Sequence, residues 1–89
     1  MAERTVTIVN SLGFHARAAA RFVELANGFR SRIEIARDGE RVDGKSILGI
    51  LTLAAQAGSQ LTLIAEGPDA DRALEVLERL VADGFGEGR

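Results

Sequence analysis

Ser31-Arg32-Ile33-Glu34-Ile35-Ala36-Arg37-Asp38-Gly39-Glu40-Arg41-Val42 is the stretch on which the fold turns. Ile33 and Ile35 alternate with Arg32 and Glu34, the two-residue period of a strand with one buried face. Asp38-Gly39 offers two residues that tolerate positive φ, as a tight hairpin requires. Arg41-Val42 is then a short return strand. A hairpin here makes the local sheet antiparallel, and clean alternation leaves one of its faces wet.

Upstream, Thr5-Val6-Thr7-Ile8-Val9 alternates in the same way, with Val6 and Ile8 toward the core, and Asn10-Ser11-Leu12-Gly13 ends it with loop chemistry. From Ala16 the period becomes helical: Ala19, Phe22, Val23, Ala26 and Phe29 recur at steps of three and four, and Gly28 closes the segment. Downstream, Ser46 is placed to cap a short helix from Ile47 to about Ala55, whose apolar residues lie on nearly every side. Such a helix is either buried or partly offered to a partner. Gln60 to Glu66 reads as a strand, and Gly67-Pro68-Asp69 as a turn and cap. The segment from Asp69 to Asp83 reads as a last helix with Ala70, Ala73, Leu74, Leu77, Leu80 and Val81 as its stripe. The glycine-rich tail, residues 84–89, is expected to fray.

The order β-α-β-β-α-β-α predicts an α+β fold, an open-faced sandwich in which a four-stranded antiparallel sheet is covered on one face by three helices. The 89 residues suffice for one core, so residues 1–89 are read as a single domain. The chain has no cysteine, which excludes disulfides and thiolate metal sites. No apolar run follows the start or approaches a bilayer span, and the expected location is the cytoplasm. The net charge of −2 is uneven: residues 1–49 sum to +2 and residues 50–89 to −4. That pattern predicts a basic face and an acidic helix. It speaks against nucleic acid as a partner, as does the lack of an aromatic stacking pair on the strands.

The one histidine, His15, falls between the glycine loop and the helix that starts at Ala16. A first helical turn presents unpaired N–H groups and partial positive charge, which together favour an anion. A phosphoryl group on His15 can therefore accept from the N–H groups of Ala16 and Arg17, with the Arg17 guanidinium as counter-charge. The residue would be both nucleophile and leaving group, as reversible transfer requires. A histidine near a helix start is more often solvated or capping, and Arg17 alone reads as a surface arginine.

Gly13-Phe14-His15-Ala16-Arg17-Ala18 resembles the Gly-Leu-His-Ala-Arg-Pro-Ala signature of the HPr family of histidine phosphocarriers in the bacterial phosphotransferase system. Asn10, Phe22-Val23, Ser31-Arg32-Ile33, Gly44-Lys45-Ser46-Ile47, Gly49, Glu66-Gly67 and Phe85-Gly86 extend the resemblance over nearly the whole chain. It implies that enzyme I phosphorylates His15 at Nδ1, that Arg17 is the adjoining phosphate partner, and that the group passes to a IIA-type acceptor, with no cofactor or metal. The carrier would be a substrate of enzyme I rather than an enzyme, and a monomer is the default. Two departures stand out. Phe14 replaces leucine and keeps an apolar anchor, whereas Ala18 replaces proline and restores an N–H. The second change resembles regulatory, nitrogen-related variants, which leaves sugar uptake and regulation both open.

Gly39 through Ser46 also satisfies the spacing of a nucleotide-binding P-loop. Glu40 and Asp43 would place carboxylates where phosphates must sit, and Val42 belongs to a strand, so that reading is rejected. Ser46 reads as a helix cap. By resemblance it is also the target of an HPr kinase/phosphorylase, and its phosphate would repel partners that present acidic surfaces. Arg17 and Arg21 lie one helical turn apart, and with Ile47, Leu48 and Leu51 they form the expected docking surface, an apolar centre with a basic rim. The competing reading is a regulatory interaction module whose phosphorylation state controls a kinase or transcription factor. A one-histidine phosphatase would need a proton donor and a substrate cage, and the sequence offers neither near His15.

Overall fold

Asp38 and Gly39 take φ of 49° and 85° in the computed structural model, which describes residues 1–87. The strands they join, β2 (Arg32–Arg37) and β3 (Glu40–Asp43), pair antiparallel with Arg37 opposite Glu40 and Glu34 opposite Asp43. Two further strands, β1 (Ala2–Thr7) and β4 (Gln60–Glu66), complete an antiparallel sheet in the order β1-β4-β2-β3. Strand β4 thus lies between β1 and β2, pairing Val6 with Leu61 and Ile35 with Leu63. The β1-to-β2 connection must therefore cross over β4, and α1 (Ala16–Ala26) makes that crossing. Helices α2 (Ile47–Thr52) and α3 (Ala70–Ala82) complete the α+β sandwich.

One core joins the layers. Val6, Ile8, Ile33, Ile35, Leu61 and Leu63 line the covered face of the sheet, and Phe22, Leu74, Leu77 and Val81 come down on them from the helices. Full burial of side chains of this size stabilises the fold by roughly 1.5–3 kcal/mol each. Ile64, on the opposite face of β4, is also buried, because β4 is central and its neighbours crowd it.

Helix α2 stops at Thr52 rather than near Ala55. The Ala54 N–H bonds the Leu51 carbonyl, and Ala54 takes a φ of 49°, a left-handed residue that ends the helix. The tail departs from expectation more strongly. Residues Gly84–Gly86 form a 3-10 turn, and Phe85 is fully buried, so this part of the tail belongs to the core and is not frayed. Residues 88 and 89 lie outside the described residues.

Asp69 occupies the cap position of α3, yet its carboxylate does not bond its own helix. It accepts instead from the backbone N–H groups of Arg30 and Ser31, both at 2.9 Å, and from the Ser31 hydroxyl, tying the α1–β2 connection to the start of α3. The Ser31 hydroxyl and then the Arg30 N–H favour the charged form and hold the Asp69 carboxyl down at about 2, against an ordinary 3.8. A carboxyl depressed on folding stabilises the native state fully above its unfolded value and loses that contribution as pH falls through the folded one. The difference in Tm between wild type and Asp69→Ala is accordingly expected to be full at about pH 6 and to close between about pH 4 and pH 2. Thermal melts of the two proteins across that range measure it, and a gap that stays constant down to the acid end would contradict it.

Candidate functional site

The loop before α1 is aimed by Gly13. Its φ is +70°, and a Cβ at this position would lie 2.6 Å from the Ala55 carbonyl oxygen, so a side chain is excluded on two counts. The next N–H, of Phe14, bonds that same carbonyl at 2.9 Å. The Phe14 ring packs edge-on to Phe22 at 5.6 Å and stacks on Phe85 at 4.9 Å. Gly13→Ala is expected to destabilise the protein by about 2 kcal/mol or more, from left-handed strain plus displacement of the 55–56 backbone. Denaturant unfolding measures this, and a loss below about 0.5 kcal/mol would show that the loop yields freely.

With the loop fixed, His15 becomes the N-cap of α1. Its backbone is extended, its carbonyl accepts from the Ala19 N–H at 2.8 Å, and its ring Nδ1 accepts from the Arg17 N–H at 3.2 Å. The bland reading of a capping histidine is therefore true, and it orients the ring. An N–H can only donate, so Nδ1 carries the lone pair that accepts it and Nε2 the proton.

Nε2 faces the Glu87 carboxylate, which it pairs with through Oε2. The other oxygen, Oε1, accepts at 3.0 Å from Nδ2 of Asn10, a fully buried residue whose same nitrogen also bonds the Gly13 carbonyl at 2.8 Å. Oδ1 of Asn10 has no partner among the described residues. Burial by itself would push the Glu87 carboxyl up, but hydrogen bonds from Asn10 and His15, with the nearby charge of Arg17, outweigh it and bring the carboxyl down. Glu87 is thus ionised beside the ring. A one-histidine phosphatase needs a proton donor and a substrate cage; the Glu87 carboxylate, ionised and in an open setting, supplies neither.

That setting is a surface depression of about 660 Å³ lined by His15, Ala16, Arg17, Arg21, Leu12 and Glu87. Ala16 and Arg17 are exposed, and the Arg17 guanidinium makes no hydrogen bond or ion pair among the described residues. Arg21, expected only as a rim charge, donates from Nη1 to the Phe85 carbonyl and so clamps the tail. Leu48 and Ile47 are exposed by 77% and 39%, whereas Leu51 is half-buried against the core and offers less to a partner. Ser46 caps α2, its Oγ accepting from the Gly49 N–H at 3.0 Å. Residues Glu40–Asp43 form a strand, which disposes of the P-loop spacing. Sequence reasoning missed Glu87. The usable signal was Phe85, a bulky apolar residue between two glycines in an otherwise polar tail, which had no reason to be there unless buried.

Residues 2–83 match the family model described as "PTS HPr component phosphorylation site". The phosphocarrier protein HPr of Cupriavidus necator is 48% identical over 88 residues, 99% of each chain. A crystal structure of HPr-C-His from Thermoanaerobacter tengcongensis is 42% identical, covers 100% of both chains and has a TM-score of 0.96. A crystal structure of an HPr dimer from the same organism covers 98% of this chain and 100% of that one, at 42% identity and a TM-score of 0.78. Fold, sequence and matched site together define a phosphocarrier of the phosphotransferase system. Within that class, the chain belongs to the HPr family. The dimeric neighbour means that the relatives do not single out the monomer expected from sequence.

Proposed function

We propose that His15 accepts a phosphoryl group at Nδ1 from enzyme I and passes it to a IIA-type acceptor. One observation carries this reading: the Nδ1 lone pair is held toward the N-terminus of α1, where it meets the Arg17 N–H at 3.2 Å. On phosphorylation that N–H can move from the ring nitrogen to a phosphoryl oxygen, alongside the N–H of Ala16, while the exposed Arg17 guanidinium supplies counter-charge. Stabilisation of this kind is modest and reversible, which suits a carrier that must release its cargo. Ile47 and Leu48 form the apolar centre of the docking surface and Arg17 its basic rim, with Leu51 and Arg21 at its base and edge. Phosphorylation of Ser46 by an HPr kinase/phosphorylase would replace a neutral capping hydroxyl with about −1.5 to −2 of charge beside that centre and weaken docking to acidic partners. The protein acts in the cytoplasm as a monomer, without cofactor.

Incubation with a cognate enzyme I and labelled phosphoenolpyruvate tests the reading. Label that is acid-labile and base-stable is the expected result. No label from an enzyme I shown to phosphorylate itself would overturn it.

A further inference from the structure

Residues 84–87 form a strap whose construction is directed at His15. Gly84, Phe85 and Gly86 have φ of 63°, 58° and 78°, and for phenylalanine this left-handed conformation is unfavourable. The strap is held against that cost by the fully buried Phe85 ring stacked on Phe14, by Arg21 bonded to the Phe85 carbonyl, and by Asn10 bonded to Glu87. What these contacts deliver to the surface is one carboxylate, 18% exposed, on Nε2 of the histidine. Strain kept in place by several independent contacts and ending on a reactive group points to function.

We propose that Glu87 is a positioning residue for His15, holding the proton on Nε2 so that Nδ1 meets the incoming phosphorus unprotonated. The inference rests on the carrier reading. In the transfer, the Nδ1 lone pair forms the N–P bond as the bond between phosphorus and the phosphorylated donor protein breaks, and that electron pair leaves with the donor. No proton has to move. The ring keeps its Nε2 proton and gains a positive charge directly opposite the Glu87 carboxylate, which offsets it; handing the group to an acceptor reverses each change. Asn10 fixes the second carboxylate oxygen, as an outer partner does for an oriented histidine ligand. Among the described residues, Arg17 and Arg21, from α1, are the other charges around the depression, and both are cationic, so Glu87 is the described group there that can stabilise the cationic ring.

Two readouts test this. In proton NMR of the unphosphorylated wild type at about pH 8.5, two units above the ordinary imidazole range, a downfield, slowly exchanging Nε2–H signal is expected. Glu87→Ala should lose it with the amide spectrum otherwise preserved. Phosphoryl uptake from phosphorylated enzyme I should slow about 10-fold in Glu87→Ala. Glu87→Gln, which keeps an acceptor but no charge, should fall between. A signal retained in Glu87→Ala, or uptake by that variant within twofold of wild type, would overturn the positioning role and leave the carrier reading intact. Wild type that shows the signal but takes up no phosphate would instead defeat the carrier reading.

Discussion

Phosphoryl uptake by His15→Ala is expected to fall to background while the protein remains folded. His15 is the only imidazole in the chain, so no second ring nitrogen can take the group. The structural consequence is small, because the ring lies outside the hydrophobic core. What the substitution removes is the cap bond from the Arg17 N–H, and losing a polar cap to alanine costs about 0.5–2 kcal/mol. Glu87 loses one partner but keeps Asn10 and reaches solvent, so no buried charge is stranded. Labelled uptake measured alongside a thermal melt separates the two effects. Label persisting in a folded His15→Ala protein would mean that some other side chain is the acceptor.

The largest loss of stability is expected from Phe85→Ala, at about 3–5 kcal/mol, the usual range for emptying a buried phenylalanine site. The ring is fully buried and stacks on Phe14, and alanine would inherit the same left-handed backbone without the packing that offsets it. Against a total stability of roughly 5–15 kcal/mol, such a loss is a substantial fraction. It should also release Glu87 from His15, since the strap then has only polar contacts to hold it. Phe85→Leu, which restores much of the apolar volume, should recover a large part of the stability. Denaturant unfolding decides the matter: a loss below about 1 kcal/mol in Phe85→Ala would show that the tail adds little to the core.

The sheet was legible because its cues are local. Alternation around Ile33 and Ile35, the Asp38-Gly39 turn and the helical spacing from Ala19 to Phe22 to Ala26 each act over a few residues, and tertiary packing agreed with all of them. Boundaries were less legible. Where α2 ends depends on Ala54 adopting a left-handed φ, and nothing in alanine announces that. The position of His15 at a helix start could also be read directly, since loop and helix adjoin it in sequence.

Asp69 and Glu87 show where such reading stops. Asp69 was legible as the cap of α3 but spends its carboxylate on Arg30 and Ser31, across 38 residues or more of sequence. Glu87 lies 72 residues from His15 and was consigned to a frayed tail. Sequence periodicity reports which face of an element is buried, because burial repeats with the element's own geometry. It carries no information about which distant residue completes a polar site, since a single hydrogen bond has no period. By itself, then, the sequence determined the α+β architecture, the histidine and its place at the head of α1. Only the tertiary structure decided which proton that histidine holds and what holds it, because the choice is made by a strap whose anchor, Phe85, finds its place only once the core has closed around it.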